Sequence, residues 1–108
     1  MTDGREGRQN GKILVQVDPD LADLIPGFLA NRRKDIMTMQ DALARGDFEA
    51  VRILGHSMKG SGGGYGFDAI TEIGAALEQA AMTKHPGEAQ KSLSDLSSYL
   101  DRVELVGG

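Results

Sequence analysis

Apolar side chains recur at helical spacing in four stretches of the chain, separated by short polar or glycine-rich breaks. Ile25, Phe28, Leu29, Ile36, Met39 and Leu43 form the first stripe; Phe48, Val51, Leu54 and Met58 the second, with Gly55 and Gly62 beside it. Ile70, Ile73, Leu77, Ala80 and Ala81 form the third, with Gly74 on the same line, and Leu93, Leu96, Leu100 and Val103 the fourth. The breaks carry the residues that start and stop helices. Asp18-Pro19 predicts a short helix near 19 to 24, and Pro26 separates it from a longer one that begins at about Pro26 and stops at Gly46. Asp47 is expected to cap a helix over 48 to 62, and Asp68 the next, which Lys84-His85-Pro86-Gly87 ends. The last helix is expected over about 88 to 105.

Residues 1 to 12 hold three glycines and no aliphatic side chain after Met1, so residues 1 to 16 read as a disordered leader before a domain at 17 to 106. Ile13 to Val17 alternates weakly, as a strand would. With no second strand in view to take its backbone hydrogen bonds, it is not counted as one. The expected fold is all-α: an antiparallel up-down four-helix bundle with a short extra N-terminal helix.

At 108 residues the chain has room for one modest core, built from Leu, Ile, Val, Met and Ala because only three Phe and two Tyr are present. Without cysteine there are no disulfides, thiolate metal sites or thiol nucleophiles. A net charge of -4 disfavours nucleic acid as the main partner. No apolar run reaches the ~20 residues that span a bilayer, so a soluble, cytoplasmic protein with no membrane partner is expected.

Wound at about 100° per residue, the second helix puts His56 roughly 150° from the centre of its apolar stripe, exposed to solvent. Arg52 and Ile53 precede it at helical spacing; Lys59, Gly60 and Gly63 follow. Glycine costs up to about 1 kcal/mol against alanine inside a helix, yet Gly55, Gly60, Gly62, Gly63 and Gly64 crowd this one. Close approach is the natural reason: Gly55 lets a neighbouring helix come near, and Gly60 leaves room above the imidazole. Ile53, about 60° around the helix from His56, points outward beside the ring. Glu78, one residue past the core position Leu77, stands at the edge of the next helix's buried face, able to look across toward His56.

The run His56-x-x-Lys59-Gly60-Ser61, followed by Gly63, Tyr65-Gly66-Phe67-Asp68, Ile73-Gly74 and Leu77-Glu78, resembles the histidine-containing phosphotransfer (HPt) domain of bacterial two-component phosphorelays. The resemblance extends through Leu24 to Leu29, Gly46-Asp47 and Tyr99-Leu100, covering roughly residues 17 to 105. It implies a four-helix bundle that accepts a phosphoryl group on His56 from a receiver-domain aspartyl phosphate and passes it to another receiver. The chain would then be a phosphocarrier and not an enzyme, expected to act as a monomer with response-regulator receiver domains and a hybrid histidine kinase as partners. No cofactor is expected on the chain itself, the Mg²⁺ belonging to the receiver. Lys59 would set its ammonium beside the phosphoryl oxygens, Glu78 would hydrogen-bond the imidazole, and Arg52 and Ile53 would lie where a partner docks.

Other readings of the same residues are weaker. The Lys59-Gly60-Ser61 run is not a P-loop, because its glycines follow the lysine and a helix precedes it. Ser57 stands where a dimerising kinase helix usually has an acidic residue. His85, 29 positions from His56, offers no metal pair, and no metal site is expected. A helical adaptor that docks receivers without carrying phosphate remains the alternative.

Overall fold

The computed structural model describes residues 6–9 and 12–107. Two strands open the chain, β1 (Glu6–Gln9) and β2 (Lys12–Val17), followed by a 3-10 helix over Pro19–Leu24. Four α-helices come next: α1 (Ile25–Ala44), α2 (Phe48–Gly62), α3 (Asp68–Met82) and α4 (Pro86–Arg102), before a last strand, β3 (Val103–Gly107). The structure is mostly helical, with α2 packed on α3, α3 on α4, and α1 against both α2 and α4. None of the described helices is long and apolar enough to cross a membrane.

The helix ends follow local chemistry. Asp18 accepts a hydrogen bond from the Asp20 N–H at 2.9 Å, with Pro19 behind it. After α1 the Asp47 N–H reaches the Ala42 carbonyl at 2.8 Å and the Gly46 N–H the Leu43 carbonyl at 3.1 Å. This double closure needs a left-handed residue, supplied by Gly46 at φ 75°. Asp47 then caps α2, accepting from the Ala50 N–H at 3.1 Å. Asp68 does not cap α3: it is the first helical residue, and Phe67 occupies the cap position without a side-chain bond.

The mostly helical, four-helix expectation holds, and the N- and C-terminal segments add to it a three-stranded sheet in the order β1-β2-β3. Ile13 to Val17 is a strand after all, pairing antiparallel with β1 (Gln9 opposite Lys12) and parallel with β3 (Ile13 opposite Val103). Two partners supply the backbone hydrogen bonds whose apparent lack argued against it. Ile13, Val15 and Val17 point into the core while Lys12 and Gln16 face out. The last helix therefore stops at Arg102 rather than 105, and Val103, at ψ 135°, opens β3. Of the expected leader, residues 6–9 and 12–16 are strand, and residues 1–5, 10 and 11 lie outside the described residues.

Ile25, Met39, Val51, Met58, Phe67, Ile70, Leu77, Leu93 and Leu96 form the centre of a single core. Phe28 stacks on Tyr65 and Phe67, with ring centroids at 4.5 and 5.6 Å, and so ties α1 to the turn that leaves α2. The α2–α3 seam is closer than any side chain would permit. A Cβ on Gly55 would stand 2.7 Å from the Glu78 backbone nitrogen, one on Gly74 2.5 Å from that of Lys59, and one on Gly62 2.6 Å from that of Thr71. Backbone cannot give way as a side chain can, so these three positions admit only glycine at this helix separation.

Candidate functional site

His56 projects from the outer face of α2 with 66% of its side chain exposed. Because the glycine seam brings α3 so near, Glu78 reaches across to it: Oε2 lies 2.9 Å from His56 Nδ1. Its other oxygen, Oε1, takes an ion pair from Lys59 Nζ at 2.8 Å. One carboxylate, itself only 15% exposed, thus holds both the ring and the lysine one turn beyond it. With an acceptor fixed at Nδ1 the neutral ring carries its proton there, so Nε2 keeps the lone pair. The Lys59 ammonium, and with it His56, holds the Glu78 carboxyl below the usual carboxylate range against the opposing effect of burial.

The rim of the site is charged and partly apolar. Arg52, one turn before His56, makes a two-point pair with Glu49, Nε to Oε1 at 2.9 Å and Nη2 to Oε2 at 2.6 Å. Ile53 is 52% exposed beside the ring, on the side the helical spacing predicts, whereas Val51 is fully buried. Gly60 has open space where a Cβ would sit, so the region beyond the imidazole is clear. A Cβ on Gly63 would make only ordinary contacts, 3.5 Å to Thr71 Oγ1 and 3.7 Å to Asp68 Oδ1; nothing in the space around it requires glycine. Ser61 turns away toward α1, where its Oγ is buried without a hydrogen-bond partner in a shallow groove shared with Ser57, Arg32 and Tyr65. His85 lies far along the fold, at the start of α4, its Nδ1 2.8 Å from Thr83 Oγ1.

Three residues shape the site in ways that the sequence pattern does not show. Thr71 donates from Oγ1 to the Lys59 carbonyl at 3.1 Å and accepts from the Gly63 N–H at 2.7 Å, tying the end of α2 to α3. Gly74 lies in the apolar stripe of α3 and in the Ile73-Gly74 element of the resemblance, but neither shows that it is the counterpart of Gly55 across the seam. Glu49 is a surface glutamate until its two bonds to Arg52 are seen.

Chemically, the arrangement offers an accessible imidazole nitrogen, an anchor for the opposite nitrogen, and cations on either side. Among the described residues no three His, Asp or Glu side chains cluster closely enough to hold a metal ion. Comparison with curated proteins and with solved structures finds no match to this chain. A family model does match: the Hpt domain, over residues 23–105. That span runs from the 3-10 helix into β3 and takes in all four helices with every residue around His56, so the chain belongs to the Hpt domain family.

Proposed function

We propose that this protein is a histidine phosphotransfer protein: His56 accepts a phosphoryl group from the aspartyl phosphate of one receiver domain and hands it to the aspartate of another. The family carries phosphoryl groups in phosphorelays. The observation that carries it is the 2.9 Å contact between Glu78 and Nδ1 on an otherwise open ring. Nε2 attacks phosphorus as the bond to the aspartyl oxygen breaks, and the receiver's carboxylate leaves. The positive charge that develops on the ring stays beside the Glu78 carboxylate through the Nδ1 proton. Lys59 then neutralises phosphoryl oxygens, exchanging its bond to Glu78 for one to the new anion.

The receiver brings the rest of the chemistry: it carries the carboxylates and the Mg²⁺ that activate its aspartyl phosphate. Ile53 and Arg52 lie where the receiver must sit to bring its aspartate to Nε2, and Gly60 leaves the approach clear. The chain works as a monomeric, cytoplasmic carrier, its four helices an up-down antiparallel bundle, and has no turnover of its own. A receiver charged with a labelled phosphoryl group tests the reading. The label should move to this chain as an acid-labile, base-stable phosphate and vanish with His56→Gln. Binding without transfer would instead leave an adaptor.

A further inference from the structure

Two cations flank His56, and in the resting site each is already engaged by a carboxylate. Lys59 is held by Glu78 at 2.8 Å; Arg52 is held by both oxygens of Glu49, at 2.9 and 2.6 Å. The charges at the site therefore cancel before any phosphoryl group arrives. A phosphoryl group on Nε2 adds close to two negative charges, and one lysine offsets only part of them.

Helix geometry decides which second cation can help. A helical side chain leans toward the N-terminus and covers the turn before its own Cα. For His56 that turn is the one carrying Arg52, four residues earlier and partly buried; Arg52 itself leans back onto Glu49, so it reaches a phosphoryl group only by leaving that pair. Nδ1 is taken by Glu78, so the phosphoryl group grows from the ring edge that remains free. A guanidinium suits the task, since its fork can bond two phosphoryl oxygens at once.

Resting on the phosphotransfer reading, we propose that Arg52 is a second phosphoryl-binding cation and that Glu49 is a positioning residue which competes for it, the pair setting how far the transfer equilibrium lies toward phosphorylated His56. Glu49 is mostly exposed and sits in the first turn of α2, with no contact to the imidazole, so its influence passes through Arg52. A strong Glu49–Arg52 pair keeps the phosphohistidine less stabilised and thus readier to donate onward. A phosphocarrier needs that balance, because a group held too well is not passed on.

The experiment measures the equilibrium distribution of label between one charged receiver and this chain, for the unaltered protein, Glu49→Gln, Arg52→Gln, the double variant, and Glu49→Gln with Arg52→Lys. Removing one partner of an exposed pair should move the equilibrium toward the chain by about 2- to 5-fold in Glu49→Gln. That gain should vanish in the double variant and survive in part with lysine at position 52. Equal shifts with and without Arg52 would mean that Glu49 acts as a diffuse field, and no shift would mean that Arg52 never reaches the phosphoryl group; either overturns the inference alone. If the unaltered protein takes no label at His56, the phosphotransfer reading falls and this inference with it. Circular-dichroism melting of each variant separates a loss of fold from a change in transfer.

Discussion

Glu78 Oε2 lies 2.9 Å from His56 Nδ1, and the two residues come from different helices that can approach only because Gly55 and Gly74 face one another without side chains. The contact orders the ring and selects its tautomer. Glu78→Ala should slow transfer by about 10- to 100-fold, by analogy with histidines that lose an orienting partner in metal sites. Glu78→Gln, which keeps an acceptor for the Nδ1 proton, should retain most of it. Rapid-quench transfer rates for the two variants check this.

The same carboxylate makes a pH prediction. Its folded-state pKa is lowered, chiefly by Lys59, so its contribution to stability is present above the unfolded-state value and is lost as pH falls through the folded one. The difference in melting temperature between the unaltered protein and Glu78→Gln should hold at neutral pH and close only in acid, at and below the ordinary carboxylate range. A difference that already closes near neutral pH would mean that the Glu78 carboxyl is not held below its ordinary range.

The Lys59 side chain is 43% exposed and its ammonium pairs with Glu78, so removing it costs the fold little. Lys59→Ala should slow transfer by roughly 10- to 1000-fold, the scale of one lost charge-stabilising donor, with a nearly unchanged melting temperature. Transfer at the unaltered rate would reduce Lys59 to a solvated side chain.

The glycines around His56 divide into two kinds, and alanine or leucine separates them. Gly55→Ala drives a Cβ to 2.7 Å from backbone; overpacking of that sort should cost about 1–3 kcal/mol or more. Gly60→Ala meets nothing within 4 Å and should stabilise α2 by up to about 1 kcal/mol. Gly60→Leu should stay folded but transfer slowly, because the side chain fills the approach to the ring. Thermal melts paired with transfer rates give all three answers.

Ile53 and Val51, two positions apart on one helix, should fail in opposite ways. Ile53→Asp should weaken receiver binding by about 1–3 kcal/mol, with melting nearly unchanged. Val51, at 0% exposure, cannot take a charge, and Val51→Asp should unfold the domain. Calorimetric receiver titrations beside melting curves distinguish the two, and a large loss of stability in Ile53→Asp would mean that its exposed face is structural.

What the sequence determined by itself is what neighbours along the chain determine. The 3.6-residue spacing of Val51, Leu54 and Met58 sets which face of α2 is buried, and so places His56 and Ile53 outside. Asp18, Gly46 and Asp47 mark helix ends because their bonds close within a few residues. The His56-to-Lys59 spacing puts a cation one turn from the ring without any help from the rest of the fold. Tertiary structure decided the rest. Ile13–Val17 became a strand because β3, some ninety residues later, lies alongside it, a pairing that no local pattern contains, although Asn10-Gly11 is a hairpin signal between the residues that pair β1 with β2. Lys59 was legible as a charge near the histidine but not as a partner of Glu78, nor Gly74 as the match of Gly55, nor Thr71 as the tie to the Lys59 carbonyl. Each depends on how closely α2 and α3 approach, and that distance is set jointly by three glycines on two helices rather than by any residue's own preference.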